Sequence, residues 1–125
     1  MAKKFLISYR RSDSADYAER LYEKLVPAFG EGNVFIDKQQ IDLGDEFARI
    51  IDERVSSCDV LVALVGPTWL DAADERGRRL HQPGDYVRHE IATALNSSIR
   101  VVPLLVRGAR MPPATELPED LTKLA

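Results

Sequence analysis

The chain has 125 residues, of which 45% are hydrophobic and 30% charged, and its 17 basic and 20 acidic residues give a formal net charge of −3. This size and composition predict one globular domain over residues 1–125, with a core that needs no metal or disulfide. The basic residues form no block, which argues against direct nucleic-acid binding. The single cysteine, Cys58, excludes an internal disulfide and fits a reducing compartment.

Location and metal content follow from further features of the sequence. No apolar run is long enough to cross a bilayer, and the first residues do not resemble a signal peptide. We therefore expect a cytoplasmic protein without membrane contact. The two histidines, His81 and His89, and the lack of a Cys or His pair at ligand spacing predict that the chain binds no metal.

The chain begins with a predicted strand and helix. Residues 4–8 are a short apolar run without helical periodicity, which is typical of a strand buried on both faces of a parallel sheet. Either Asp13 or Ser14 is expected to cap the helix that follows. Pro27 and Gly30 are expected to end that helix.

A second strand and helix follow. Residues 34–36 predict a strand, and the loop after it, residues 38–44, is longer than the usual connection between a strand and a helix. Asp45 is expected to cap the next helix. Four apolar residues at helical spacing predict its core face: Phe47, Ile50, Ile51 and Val55.

The most continuous apolar run of the chain comes next. Residues 59–65 predict the central strand of the sheet. Residues 68–73 are compatible with a short helix, and residues 76–83, with three arginines, predict an exposed loop. At the far end, residues 119–124 resemble the start of another helix.

The helix predicted over residues 85–95 carries an acid and an aromatic on one flank. Asp85 can cap its first turn, while Val87 and Ile91 belong to an apolar stripe that faces the core. Tyr86 and Glu90 are four residues apart, so they lie one above the other on the shoulder of this stripe. On these residues alone, an ordinary half-exposed helix flank explains the pattern better than a ligand site does.

The alternation of strands and helices predicts the fold. Residues 100–106 form a fourth strand, in which Pro103 requires either a bulge or a side without a partner strand. The pattern favours an α/β, flavodoxin-like, doubly wound parallel sheet with strand order 2-1-3-4 and helices on both faces. Ligands of such sheets bind beyond the carboxyl ends of the strands at the topological switch point. Here that crevice lies between residues 9–11 and residues 66–69.

Five motifs in this order resemble the Toll/interleukin-1 receptor (TIR) domain in its bacterial form: residues 5–11, 34–37, 42–44, 59–66 and 85–91. The resemblance covers nearly the whole chain. It implies a five-stranded flavodoxin-like domain, so the last strand of the family is expected to be missing here by truncation at the C-terminal end. It also implies self-association through the long loop after the second strand, called the BB loop, which runs from Asp37 to Glu46.

Many bacterial TIR domains, and the animal member that acts in axon degeneration, are NAD⁺ glycohydrolases. The resemblance implies that Glu90 is the catalytic residue and that Tyr86, where family enzymes commonly have Trp, stacks on the substrate. Arg10 and Arg11, through the Ser-Tyr-Arg-Arg motif, and Asp42, through the BB loop, become candidate substrate contacts. NAD⁺ would then be the substrate, and no cofactor or metal is expected.

Tyr9 and Trp69 complete the candidate substrate-binding residues, because each lies in a loop beside the predicted crevice. Several candidates also have a purely structural explanation. Arg10 and Arg11 could be solvated charges after a strand, and Asp42 could fix a turn of the BB loop through its side chain.

The resemblance implies an effector of anti-phage defence that is activated by oligomerisation and is accompanied by a fused or associated sensor domain. The alternative is a non-enzymatic adaptor that only assembles with other TIR domains. The glutamate at position 90 favours the enzyme, since an adaptor has no chemical need for it. A response-regulator receiver would need an acidic cluster after the first strand, where this chain has Tyr9, Arg10 and Arg11.

Overall fold

The computed structural model describes residues 3–36, 45–75, 77–82, 85–97 and 99–124. Four parallel strands form its main sheet: β1 (Phe5–Ser8), β2 (Val34–Ile36), β3 (Val60–Val65) and β6 (Arg100–Leu105). Their order across the sheet is β2-β1-β3-β6, which confirms the predicted order 2-1-3-4. Two short antiparallel strands, β4 (Ala73–Asp74) and β5 (Gly77–Arg78), form a separate ribbon.

Three α-helices connect and cover these strands: α1 (Arg11–Phe29), α2 (Asp45–Ser56) and α3 (Tyr86–Leu95). The core has two parts, as a sheet covered on both faces requires. One part contains Ile51 of α2 and Ile91 of α3, and the other contains Ala18 of α1. The sheet is therefore doubly wound, as the alternation of elements predicts.

β3 occupies the centre of the core because all six of its residues are buried. It pairs with β1 on one side, where Leu61 lies opposite Leu6, and with β6 on the other, where Ala63 lies opposite Pro103. The continuous apolar run of the sequence is explained by this position, since both faces of a central parallel strand are covered by helices.

Pro103 is accommodated by an edge of the sheet and not by a bulge. The amide of Arg100 donates to the carbonyl oxygen of Asp59, just before β3, at 3.3 Å, and that of Val106 donates to the carbonyl oxygen of Val65, the last residue of β3, at 3.0 Å. Because alternate residues of a strand point their amides to the same side, the ring nitrogen of Pro103 points away from β3. On that outer side β6 has no partner strand among the described residues. Besides Pro103, three large apolar side chains are exposed on this strand, namely Val102, Leu104 and Leu105.

The predicted cap of α1 is wrong, because neither Asp13 nor Ser14 caps the helix. The helix begins at Arg11 without a side-chain cap, and Ser14 interrupts its backbone with φ −148° and ψ 29°. The carboxylate of Asp13 is engaged elsewhere, with the loop after β3. The helix also continues through Pro27 and ends at Gly30, whose φ of 98° is one that glycine adopts readily.

The segment between β3 and α3 differs from its prediction. Residues 67–71 form turns instead of a short helix, and they lead into the β4–β5 ribbon. The predicted exposed loop contains β5 and a 3₁₀ turn over Arg79–His81, in which Leu80 is fully buried. Leu80 packs in the core with Trp69. The three arginines of this segment predict an exposed loop, and the sequence pattern does not identify Leu80 as a core residue.

The structure corrects two of the predictions for helices. Other predictions concern residues that the structure does not describe. Ile50 was expected on the core face of α2 but is 39% exposed, while Ile51 and Val55 are buried as expected. Residues 119–124 form a 3₁₀ helix instead of an α-helix. The predictions for the BB loop over residues 37–44, and for the side chains of Asp45 and Phe47, lie outside the described part of the chain.

Candidate active site

Asp13 joins the two loops that border the predicted crevice. Its carboxylate accepts hydrogen bonds from the amide of Gly66 at 2.8 Å, the amide of Thr68 at 2.7 Å and the hydroxyl of Thr68 at 2.9 Å. These bonds connect the start of α1 to the loop after β3. A Cβ atom built on Gly66 would lie 2.4 Å from a carboxylate oxygen of Asp13, so this contact also requires glycine.

Glu90 lies in the second turn of α3, against the carboxyl end of β1. Its side chain is 1% exposed, and the hydroxyl of Ser8 donates to its Oε1 at 3.2 Å. The expectation of a half-exposed shoulder is therefore wrong for Glu90 and for Tyr86, which is 5% exposed. The reason is tertiary, because β1 covers Glu90, and the C-terminal 3₁₀ helix with Leu121 packs in the same core cluster as Tyr86.

Arg10 and Asp85 form a buried ion pair at the start of α3. The two guanidinium nitrogens donate to the two carboxylate oxygens at 2.9 Å and 2.7 Å, and both side chains are at least 98% buried. Asp85 also accepts from the amide of Arg88 at 3.0 Å, which confirms its predicted role as the cap of α3. A fork-to-fork pair of this kind fixes both position and orientation of the groups it joins.

The three candidate aromatic residues are buried but are divided between two faces of the sheet. Trp69 and Tyr86 belong to the core cluster beside α3, whereas Tyr9 belongs to the cluster beside α1. Trp69 is fully buried. Three buried donors lack a hydrogen-bond partner within the described residues: Arg10 Nε, Ser14 Oγ and Trp69 Nε1.

The structure therefore brings Glu90, Tyr86 and Arg10 together around the N-terminal half of α3. Arg11 is exposed at the start of α1, and Asp42 lies outside the described residues. For every candidate, contact with a substrate stays a prediction.

Sequence reasoning missed Ser8, the ion pair made by Asp85 and the bridge made by Asp13. Each of these contacts joins residues more than 50 positions apart. The local signals were a serine at the carboxyl end of a predicted strand and two aspartates near the starts of predicted helices.

An open cavity of about 410 Å³ lies beside this site and not on it. It separates the loop after β3 from the segment after β6, and its walls include Pro67, Arg110 and Met111. The described candidate residues do not line it. The cavity lies at the ends of β3 and β6 and does not reach Glu90.

Other reactive groups are remote from this site. Cys58 precedes β3 and so lies at the opposite edge of the sheet, where burial raises the pKa of its thiol above the ordinary value. A neutral thiol is a poor nucleophile.

Within the described ranges, no three His, Cys, Asp or Glu side chains are grouped as a metal site would require. None of the helices described is both long enough and apolar enough to cross a membrane.

The order β2-β1-β3-β6 with helices on both faces defines a flavodoxin-like α/β domain whose carboxyl edge carries a buried glutamate. A family model described as "TIR domain" matches residues 5–124. The chain therefore belongs to the TIR domain family, as the sequence motifs indicated.

A Drosophila melanogaster protein, "NAD(+) hydrolase sarm1", is 28% identical to this chain over 121 residues. The similarity covers 95% of this chain but only 8% of the fly protein. The chain thus corresponds to a small part of that relative.

Proposed function

We propose that this TIR domain is an NAD⁺ nucleosidase that hydrolyses the bond between nicotinamide and ribose, with Glu90 as its catalytic residue. The observation that carries the proposal is a carboxylate, 1% exposed, held at the carboxyl edge of the sheet by Ser8. The similarity to a protein named as an NAD(+) hydrolase supports it. A buried acid in a position where α/β sheets bind ligands is a candidate for chemistry.

The reaction needs little from the protein beyond this carboxylate. As the glycosidic bond breaks, its electron pair moves to the ring nitrogen, and the cationic nicotinamide leaves as a neutral molecule. The leaving group therefore needs no general acid. The ribose carbon becomes oxocarbenium-like, and a carboxylate nearby stabilises the developing positive charge. Water then adds to that carbon and loses a proton, which gives ADP-ribose.

Tyr86 is proposed to orient the nicotinamide ring. It precedes Glu90 by one helical turn, so its ring and the carboxylate project from the same flank of α3. A pyridinium ring over the face of a tyrosine gains about 0.5–2 kcal/mol from the cation–π interaction. Arg11, which is exposed, is proposed to contact the phosphates of the substrate through its guanidinium group.

The burial of Glu90 motivates the second part of the proposal, which is activation by assembly. With Glu90 1% exposed and Tyr86 5% exposed, a substrate reaches them only after a neighbouring segment moves. Self-association through the BB loop would supply the free energy for this change, because binding of a partner shifts a conformational equilibrium. In the cell, we propose a cytoplasmic bacterial effector of anti-phage defence that depletes NAD⁺ when a sensor domain brings copies together.

The second candidate function is a non-enzymatic adaptor. The observation that favours it is the ion pair between Arg10 and Asp85, which already engages the guanidinium in the resting structure. An adaptor would use the same domain only to assemble with other TIR domains. It would release no nicotinamide at any concentration.

Release of nicotinamide from NAD⁺ by the purified chain tests the proposal. We expect the turnover per protein molecule to increase with protein concentration. In Glu90→Ala we expect no turnover. Glu53→Ala is the matched control, because Glu53 is exposed on α2, and we expect it to keep full activity. Circular dichroism establishes that both variants fold. Unchanged turnover in folded Glu90→Ala would remove Glu90 from the active site.

A further inference from the structure

Ser8 is the last residue of β1, and its side chain points to α3. Its exposure is 1%, and its hydroxyl donates to Oε1 of Glu90 at 3.2 Å. A buried hydroxyl makes such a bond in a fixed direction, because no water competes for either group. The carboxylate of Glu90 is therefore oriented by a strand of the central sheet.

The segment directly after β1 holds α3 at a second point, through Arg10. Arg10 follows Ser8 by two residues, and its backbone is still extended, with φ −95° and ψ 122°. Residues two apart on an extended chain project to the same side. The two contacts differ in what they fix, since Arg10 holds the cap residue Asp85 and Ser8 holds the carboxylate of Glu90.

We infer that Ser8 is a positioning residue for Glu90 in the hydrolysis of NAD⁺, an inference that rests on the function proposed above. Glutamate has three side-chain torsions, so a helix alone does not fix where its carboxylate lies. The Ser8 hydroxyl restricts these torsions and sets which carboxylate oxygen faces the crevice. Ser8 does not touch the substrate and acts only through Glu90.

This role predicts a specific change in the kinetics. Without the hydroxyl, the carboxylate samples positions from which it stabilises the transition state less well, and a misplacement of about 1 Å can cost about 100-fold in rate. The affinity for NAD⁺ depends on other contacts. We therefore expect Ser8→Ala to lower kcat by about 10-fold to 100-fold, with KM changed less than about 3-fold.

Two further variants make the test specific. Ser8→Thr keeps a hydroxyl at the same place, and threonine is well suited to a strand, so we expect it to restore most of kcat. Ser97→Ala is the matched control, because Ser97 is exposed after the end of α3 and its hydroxyl donates to a backbone carbonyl. We expect it to have the wild-type kcat. Thermal unfolding of each variant separates a loss of activity from a loss of folded protein.

The outcomes distinguish this inference from the proposed function. A Ser8→Ala variant with wild-type kcat overturns the role of Ser8 and leaves the hydrolase standing. Equal losses in folded Ser8→Ala and Ser8→Thr also overturn it, because they indicate packing and not the hydroxyl. If Ser8→Thr does not fold, the change of kcat against KM in Ser8→Ala decides alone. A wild-type chain that releases no nicotinamide when assembled overturns both.

Discussion

Two adjacent arginines after β1 have opposite environments. Arg10 is 1% exposed and paired with Asp85, whereas Arg11 is exposed at the start of α1. The shared Ser-Tyr-Arg-Arg motif gives no means of telling these two environments apart. Burial assigns Arg10 to holding α3 and makes Arg11 the better placed of the two for a substrate.

Arg10→Ala should destabilise the fold strongly. It would leave the carboxylate of Asp85 buried without its cation, which costs about 3–5 kcal/mol. Arg11→Ala should change the free energy of unfolding by less than about 0.5 kcal/mol, as is usual for exposed positions. Urea unfolding of both variants measures the difference. Equal stabilities would show that the ion pair contributes nothing to holding α3.

Cys58 should give the stability a distinct dependence on pH. Burial is the main reason that the pKa of its thiol is raised in the folded chain, and Asp59 adds to this effect. The stabilising contribution is thus fully present below the unfolded pKa of about 8.5, and it is lost as pH rises through the folded value.

Urea unfolding at several pH values checks this effect. The free energy of unfolding should fall more steeply above about pH 8.5 in the wild type than in Cys58→Ala. Parallel curves for the two proteins would contradict the raised pKa. The comparison uses the slope with pH, so a constant loss of packing in the variant does not affect it.

Among the elements, the bridge from Asp13 to the loop after β3 leaves no room for a side chain at Gly66. In Gly66→Ala the new methyl group would lie 2.4 Å from Oδ2 of Asp13, so either the carboxylate or the backbone at position 66 must move. We expect a loss of about 1–3 kcal/mol in the free energy of unfolding. Gly32→Ala is the matched control, because nothing lies within 4 Å of a Cβ atom there.

A double-mutant cycle tests the cause of that loss. In an Asp13→Ala background the clash is absent, so the further cost of Gly66→Ala should fall below that in the wild type. Additive costs would assign the effect of Gly66→Ala to something other than Asp13.

The elements that could be predicted from sequence are those with a local signature. The run of buried residues in β3 and the spacing of Val87 and Ile91 in α3 are such signatures, and the structure confirms both. The contacts of Asp13 could not be predicted, because its partners lie 53 and 55 residues away. Contacts at such a separation produce no periodic pattern in the sequence. The same holds for Glu90, whose burial depends on Ser8, 82 residues earlier.

At the scale of the whole molecule, β6 presents an apolar edge among the described residues. Val102, Leu104 and Leu105 are 37%, 39% and 44% exposed, and exposed edge strands promote association between chains. Leu104→Lys should reduce light scattering at high protein concentration, because a charge on an edge strand opposes pairing. Thr122→Lys adds the same charge away from this edge and should have little effect. Equal effects of the two variants would assign association to net charge instead.

Hydrolysis of NAD⁺ at Glu90 is the activity on which the role of Ser8 and activation by assembly both depend. The most direct measurement is nicotinamide released from NAD⁺ by the wild type and by Glu90→Ala, each followed over a wide range of protein concentration. We expect release by the wild type that increases more than in proportion to concentration, and none above background by the folded variant. Equal release by the two proteins, or none by the wild type even when it is assembled, would contradict it.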